Sequence, residues 1–269
     1  PVYVVKRRRN KEIGFMKIIG VVPARMAASR FPGKPLHPIM GRPMIEHVFE
    51  RARLFSRWSG LFLSTCDKEI ADFGQSKGYP VIMTSEKHTR ALDRVAETVE
   101  KCGIDIDEDD IILNVQGDEP MMSPDMIEAT VKPFSDSPDI HGTLLSMDII
   151  YEHQYRNPDI LKIIHDLNDR ILYTSRCPIP YSKKFTPELG AKRIFGIFAF
   201  KWHFLKTFTT LSESPLEIKE ACDSNRLYDN GLHQHLVHYP VKPCFSVDKP
   251  DDIMLVEEYM EKDPLWGKY

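Results

Sequence analysis

Arg25, Arg30 and Lys34 fall within ten residues of one another in the stretch Val21-Val22-Pro23-Ala24-Arg25-Met26-Ala27-Ala28-Ser29-Arg30-Phe31-Pro32-Gly33-Lys34-Pro35-Leu36. Two guanidinium forks and an ammonium at the end of an apolar strand suit polyanionic oxygen, phosphate above all. Ser29 adds a hydroxyl, and Pro32 with Gly33 sets a tight turn that lets backbone amides approach the same anion. A second group lies in Asn114-Val115-Gln116-Gly117-Asp118-Glu119-Pro120. Asp118 follows an apolar run as Arg25 does, so both belong on one rim. A carboxylate facing phosphates there is costly unless a cation lies between, and Mg²⁺ takes carboxylate and phosphate oxygens together. Asp248, in Phe245-Ser246-Val247-Asp248-Lys249-Pro250, is either a second ligand or a helix cap ahead of Pro250.

These groups need a scaffold, and the flanking patterns supply one. Lys17-Ile18-Ile19-Gly20-Val21-Val22 and Ile111-Ile112-Leu113-Asn114-Val115 read as strands buried on both faces, as in a parallel sheet. In such sheets ligands bind beyond the carboxyl ends of the strands. Between them, Met44, Ile45, Val48, Phe49 and Ala52 form a helical stripe after Pro43, and Leu61–Thr65 and Val81–Met83 are strands. Lys68–Lys77 is helical, and Leu92, Val95, Ala96 and Val99 mark a further helix. The alternation predicts an α/β fold with a wound, mostly parallel sheet flanked by helices. The second half is less regular. Leu161–His165 and Arg170–Thr174 flank Asp166-Leu167-Asn168-Asp169 as an antiparallel hairpin; Arg193–Phe200 is a strand; Pro215–Tyr228 and Asp251–Met260 are helices.

The 269 residues suit one α/β domain over 16–269, preceded by an arm at 1–15 that carries Lys6-Arg7-Arg8-Arg9 and reads as a mobile segment or as codons upstream of the start. With 36 Lys+Arg against 39 Asp+Glu, the net charge of −3 gives no general attraction to nucleic acid or anionic membrane. No apolar run approaches the roughly 18 residues of a membrane helix and no signal-peptide core is visible, so a cytoplasmic protein is expected. Five scattered cysteines without a C-x-x-C pair predict reduced thiols, with neither disulfides nor a zinc site. His233 and His235 alternate on one strand face at a spacing compatible with metal, but without a third ligand nearby they read as exposed strand positions.

Pro23-Ala24-Arg25, Ser29-Arg30-Phe31-Pro32-Gly33-Lys34, Asn114 to Pro120, Leu172-Tyr173-Thr174-Ser175-Arg176, Ser214-Pro215-Leu216-Glu217 and Val247-Asp248-Lys249-Pro250-Asp251-Asp252 together resemble the CMP-Kdo synthetases, the 3-deoxy-manno-octulosonate cytidylyltransferases. Order and spacing match along nearly the whole chain from Met16. The resemblance implies a Rossmann-like nucleotidyltransferase fold, usually dimeric, that joins CTP to an eight-carbon acidic keto sugar with release of pyrophosphate, for glycolipid (lipopolysaccharide) or capsule assembly. By position, Pro23, Ala24, Arg25, Ser29, Arg30, Lys34, Asp93 and Arg94 would form the nucleotide site. Asp118 and Asp248 would bind Mg²⁺, and Gln116, Arg176, Asp223 and Ser224 would face the sugar. The implied reaction is positioning plus electrostatics, with Arg25, Lys34, Asp118 and Asp248 central. A dedicated protein base is unnecessary where a metal lowers the hydroxyl pKa.

Three segments depart from the family pattern. His-x-Ser-Gly-Thr-Asp/Glu-Arg becomes His88-Thr89-Arg90-Ala91-Leu92-Asp93-Arg94, which exchanges a flexible turn for a cation and an apolar pair; Arg90 either contacts phosphate or faces solvent. His-x-Gly-x-Tyr becomes Ile194-Phe195-Gly196-Ile197-Phe198, losing an imidazole and a phenol, which predicts a less hydroxylated or differently substituted sugar face. The third is Asp223-Ser224-Asn225, where the family has an acid, Gln and Leu, and it too predicts altered sugar specificity. The alternatives are the same transfer to a nonulosonic acid or an amino-substituted Kdo, and a nucleotide-sugar-dependent glycosyltransferase. The last typically carries Asp-x-Asp, which Asp118-Glu119-Pro120 does not supply.

Overall fold

The computed structural model describes residues 16–27 and 30–269; the arm at 1–15 and Ser29 lie outside the described residues. In chain order the elements are β1 (Ile18–Pro23), β2 (Pro38–Ile39), β3 (Arg42–Pro43), α1 (Met44–Arg53), β4 (Gly60–Thr65), α2 (Lys68–Ser76), β5 (Val81–Met83) and α3 (Ala91–Lys101). They continue with β6 (Ile111–Val115), α4 (Pro124–Asp136), β7 (Gly142–Asp148), α5 (Glu152–Arg156), β8 (Lys162–His165) and β9 (Ile171–Ser175). The chain closes with β10 (Lys192–Lys201), α6 (Trp202–Thr210), α7 (Pro215–Glu220), α8 (Ser224–Asp229), β11 (His235–Tyr239) and α9 (Asp252–Met260).

The main sheet runs β11-β7-β10-β6-β1-β4-β5, with the β8–β9 hairpin attached through β10. Along this path β6, β1, β4 and β5 are mutually parallel, as are β11 and β7, while β10 runs against both its neighbours. The continuous apolar runs of β1 and β6 follow from the two cores they divide. Ile18 and Val22 join Ile111, Leu113 and Val115 in a core with α1, α4 and α9, whereas Ile19 and Val21 join Ile112 in a core with α3 and α6. Both faces are covered, so no polar alternation survives. The α1 stripe is fully enclosed: Met44, Ile45, Val48, Phe49 and Ala52 are all buried, and each of the four larger side chains contributes on the order of 1.5–3 kcal/mol.

One expected element is corrected. The helix read over 215–228 is two helices, α7 and α8, parted at Ala221, which adopts a left-handed φ of 49°. Ser214 and Glu217 form a reciprocal capping box that starts α7. The buried Glu217 carboxylate then receives Arg226 Nε at 2.8 Å and Nη2 at 2.7 Å, so α8 must fold back onto α7 to bring the guanidinium home.

Candidate active site

The register Ile18↔Ile111 through Val21↔Asn114 ends β1 and β6 side by side. A Cβ on Gly117 would meet the Pro23 carbonyl oxygen at 2.6 Å, so only glycine lets the two strand-end loops touch. Beyond them lies a cavity of about 280 Å³ lined by Pro23, Ala24, Arg25, Arg30, Lys34, Arg90, Arg94, Gln116, Asp118 and Asp248, among others. Gly33, at a left-handed φ of 76°, turns the chain back, and its amide donates to Met26 O at 3.0 Å. Lys34 Nζ then donates to Asp118 Oδ2 at 2.8 Å and to Val247 O at 2.7 Å. Arg30 spans two acids, Asp159 at 2.6 Å and Asp248 at 2.7 Å. The Val247 amide donates to Asp118 O at 3.0 Å, which ties the loop before α9 to the loop after β6.

Of the two readings open for Asp248, the cap is excluded. Asp252 accepts from the Asp248 and Lys249 amides at 2.7 and 2.9 Å, leaving the Asp248 carboxylate turned toward Arg30. Burial, and then the Asp118 carboxylate, push the Asp248 carboxyl above its ordinary range, against the pull of Arg30 and Lys34. Two hard oxygen donors that repel one another across a cavity wall suit a divalent cation such as Mg²⁺.

A second cavity, of about 390 Å³, shares Arg30, Gln116, Asp118 and Asp248 with the first and is also lined by Arg176, Arg193, Ile194, Phe198 and Asp223. Arg176 is held by Glu220 O at 2.8 Å and Pro158 O at 2.9 Å. Lys162, fully buried beneath, donates to the carbonyls of Asn157, Ile160 and Arg176 at 2.8, 2.6 and 2.7 Å, joining two loops of the cavity wall. Burial pushes its ammonium down to about 8. Glu119 accepts from the Gly196 amide at 3.0 Å and Ser246 Oγ at 2.7 Å; burial and neighbouring Asp118 push its carboxyl up to about 8.

Two expected site residues, Asp93 and Ser224, lie elsewhere. Asp93 lines neither cavity; its carboxylate faces Arg226, both oxygens at 3.2 Å, and braces α3 against α8. Ser224 is buried in α8 and also lines neither. Asn225, a departure assigned to the sugar pocket, exchanges hydrogen bonds with Thr174 and docks α8 on β9. Arg90 is on the first cavity, where its Nε stands 3.5 Å from Glu217 and 3.9 Å from Glu213. Arg94 is a buried wall residue, donating to Thr84 Oγ1 at 2.5 Å. Sequence reasoning did not single out Lys162, Arg193 or Asp159. Asp159 follows Asn157-Pro158 and signals only a turn, and a lysine inside an apolar strand carries no signal of three convergent carbonyls.

The cytidylyltransferase family model matches residues 19–236. The chain belongs to the cytidylyltransferase family. Within it, 3-deoxy-manno-octulosonate cytidylyltransferase from Syntrophotalea carbinolica is 36% identical over 253 residues, covering 91% of this chain and 99% of that protein. The enzyme of the same description from Nitratidesulfovibrio vulgaris strain Hildenborough is 36% identical over 240 residues, covering 88% and 93%. A solved structure of CMP:2-keto-3-deoxy-manno-octonic acid synthetase complexed with CTP superposes with a TM-score of 0.81 at 31% identity, covering 91% of this chain and 99% of the other. At 12% identity and a TM-score of 0.59, 4-diphosphocytidyl-2C-methyl-D-erythritol synthase from Anaerococcus prevotii shares the fold alone. This cytidylyltransferase is therefore a nucleotidyltransferase enzyme of the CMP-Kdo synthetase group, as its motifs suggest. Among the described residues no helix is long and apolar enough to cross a membrane.

Proposed function

We propose that this cytidylyltransferase transfers CMP from CTP to the anomeric hydroxyl of a Kdo-class 3-deoxy-2-ulosonic acid, releasing pyrophosphate, with Mg²⁺ as cofactor. The observation that carries this reading is the common wall of the two cavities, formed by Arg30, Gln116, Asp118 and Asp248. A triphosphate in the cationic first cavity and an acid sugar beside Arg176 and Arg193 in the second would meet across it. Arg25, Arg30 and Lys34 would grip the phosphates and hold the leaving pyrophosphate as the sugar oxygen attacks the α-phosphorus in line. One P–O bond forms and the bond to pyrophosphate breaks. Asp118 and Asp248 would hold Mg²⁺, which supplies neutralisation of phosphate charge. Lys34 and Arg30, now paired with those acids, are the side chains free to turn to the phosphates.

A second reading concerns the sugar. Ile194 and Phe198 both line the second cavity, where the family pattern has an imidazole and a phenol. That favours an amino-substituted or less hydroxylated relative of Kdo. Pyrophosphate release is the test, with Mg²⁺, each of the four nucleotides, and Kdo, its 8-amino analogue or sialate. Release with CTP and one of the 3-deoxy-2-ulosonic acids alone supports the proposal, and kcat/KM ranks the sugars. Turnover of a nucleotide sugar to a glycoside would overturn it. A cytoplasmic homodimer is part of the same proposal; a monomer in sedimentation equilibrium would remove the dimer.

A further inference from the structure

His165, Asp169 and His238 come from three separate places in the chain: the end of β8, the turn before β9, and β11. One donor atom from each lies within 4.8 Å of the other two. His238 Nε2 is 2.7 Å from Asp169 Oδ1, and His165 Nδ1 is 3.3 Å from the same oxygen. The imidazole rings meet edge to face, their centroids 5.5 Å apart. None of the three lines either cavity of the active site.

Two backbone irregularities aim these groups. The β8–β9 register shifts between Ile164 and His165, a bulge of the kind that redirects a side chain. Asp169 adopts a left-handed φ of 59°, held by its amide donating to Asp166 O at 3.1 Å and its carbonyl accepting from Leu236 N at 2.8 Å. Aspartate is among the few residues that tolerate this conformation. Leu236 lies on β11, two residues before His238, so the bond that holds the turn also sets the distance between the carboxylate and the second imidazole.

We infer that His165, Asp169 and His238 form a binding site for a divalent transition cation of the zinc class. Two imidazole nitrogens and one carboxylate oxygen are a donor set such ions prefer, and a fourth position is left for water. Ligands about 2.0–2.1 Å from a tetrahedral ion stand roughly 3.3 Å apart. The His165 to Asp169 separation already has that value, and the His238 contact must open by about half an ångström. The competitor is the Asp166 carbonyl, 2.9 Å from His165 Nδ1, whose hydrogen bond is given up when that nitrogen turns to the ion. Each imidazole must present an unprotonated nitrogen to the ion, in place of its present hydrogen bond. The ion would fasten the hairpin tip to β11, while the other end of the same hairpin carries Leu161 and Arg176 into the second cavity.

The test is Co²⁺ and Zn²⁺ binding to the full chain after chelator treatment, in an Asp118→Asn background so that the proposed magnesium site does not contribute. The expected result is one Co²⁺ per chain with ligand-field absorption in the visible, and a rise of the thermal midpoint with Zn²⁺. His238→Ala and Asp169→Asn should each weaken binding at least tenfold and cancel that rise. His165→Gln serves the same purpose should either fold poorly. Unchanged Co²⁺ affinity in these variants, or no binding at about 1 mM metal, would overturn the inference and leave the proposed reaction untouched.

Discussion

The two cavities share a wall, yet they are assembled in opposite ways. The first forms where two adjacent parallel strands end, so its cations and its first acid arrive on loops that the sheet itself places together. The second is gathered from the α5–β8 loop, the hairpin, β10, the α7–α8 junction and the loop before α9, with Lys162 joining the first two of these. The first depends chiefly on strand order, with Asp248 and the start of α3 completing its wall. The second depends on long-range contacts, and away from the shared wall these can be altered with less effect on the other cavity. Departures from the family pattern reach the second wall at Ile194 and Phe198 and the first at Arg90 and Ala91, while Arg25, Arg30 and Lys34 are kept.

Damage to the shared wall should erase the distinction. Asp118→Asn and Asp248→Asn are each expected to lower kcat by about 10³-fold or more, with the thermal midpoint nearly unchanged; full pyrophosphate release by either variant would remove that acid from the mechanism. Lys162→Met should separate the two sides. It strands three carbonyls, costing roughly 1–3 kcal/mol of stability for each that water does not reach, and should raise KM for the sugar at least tenfold while KM for CTP stays within about twofold. An equal rise for both substrates would mean that the cavities are not independent. The pair Ile194→His and Phe198→Tyr restores the family's polar groups and should move kcat/KM toward Kdo over its 8-amino analogue by roughly 2- to 10-fold for each hydrogen bond regained.

A further effect, on stability rather than turnover, concerns Glu119, beside Asp118 on the second cavity. Its folded pKa of about 8 lies above the ordinary 4.5, so the folded state binds the extra proton. Its contribution to stability is complete below about pH 4.5 and is lost as pH rises through about 8, with a slope of up to ~1.4 kcal/mol per pH unit. Glu119→Gln should flatten that dependence in urea unfolding between those limits. A parallel profile in the variant would show that the carboxyl is ionised throughout.

The contrast between the cavities also explains what could be read before folding. β1 and β6 were legible because burial on both faces leaves an unbroken apolar run, and the strand-end rule then set Arg25 and Asp118 on one rim. The direction of β10 was not, since an apolar run carries no sign of parallel or antiparallel pairing. The break at Ala221 was hidden for a related reason. Its left-handed backbone has no glycine or asparagine to announce it and is held by the distant Glu217–Arg226 pair. Asp93 and Ser224 line neither cavity, since motif position gives a residue's neighbourhood but not the direction of its side chain. Asp93 has its ion pair with Arg226 on α8, and Ser224 is buried on the same helix.

The pairing of Lys34 with Asp118, and of Arg30 with Asp248 and Asp159, bears on how substrate arrives. An incoming polyanion does not meet a bare electropositive funnel; it trades places with carboxylates, ion for ion. Because those two cations are paired, more of the long-range field is left to Arg25, and the encounter rate should fall with ionic strength less steeply than three unpaired cations would give. Added salt would then be felt in the dwell time of the nucleotide more than in the speed of its capture.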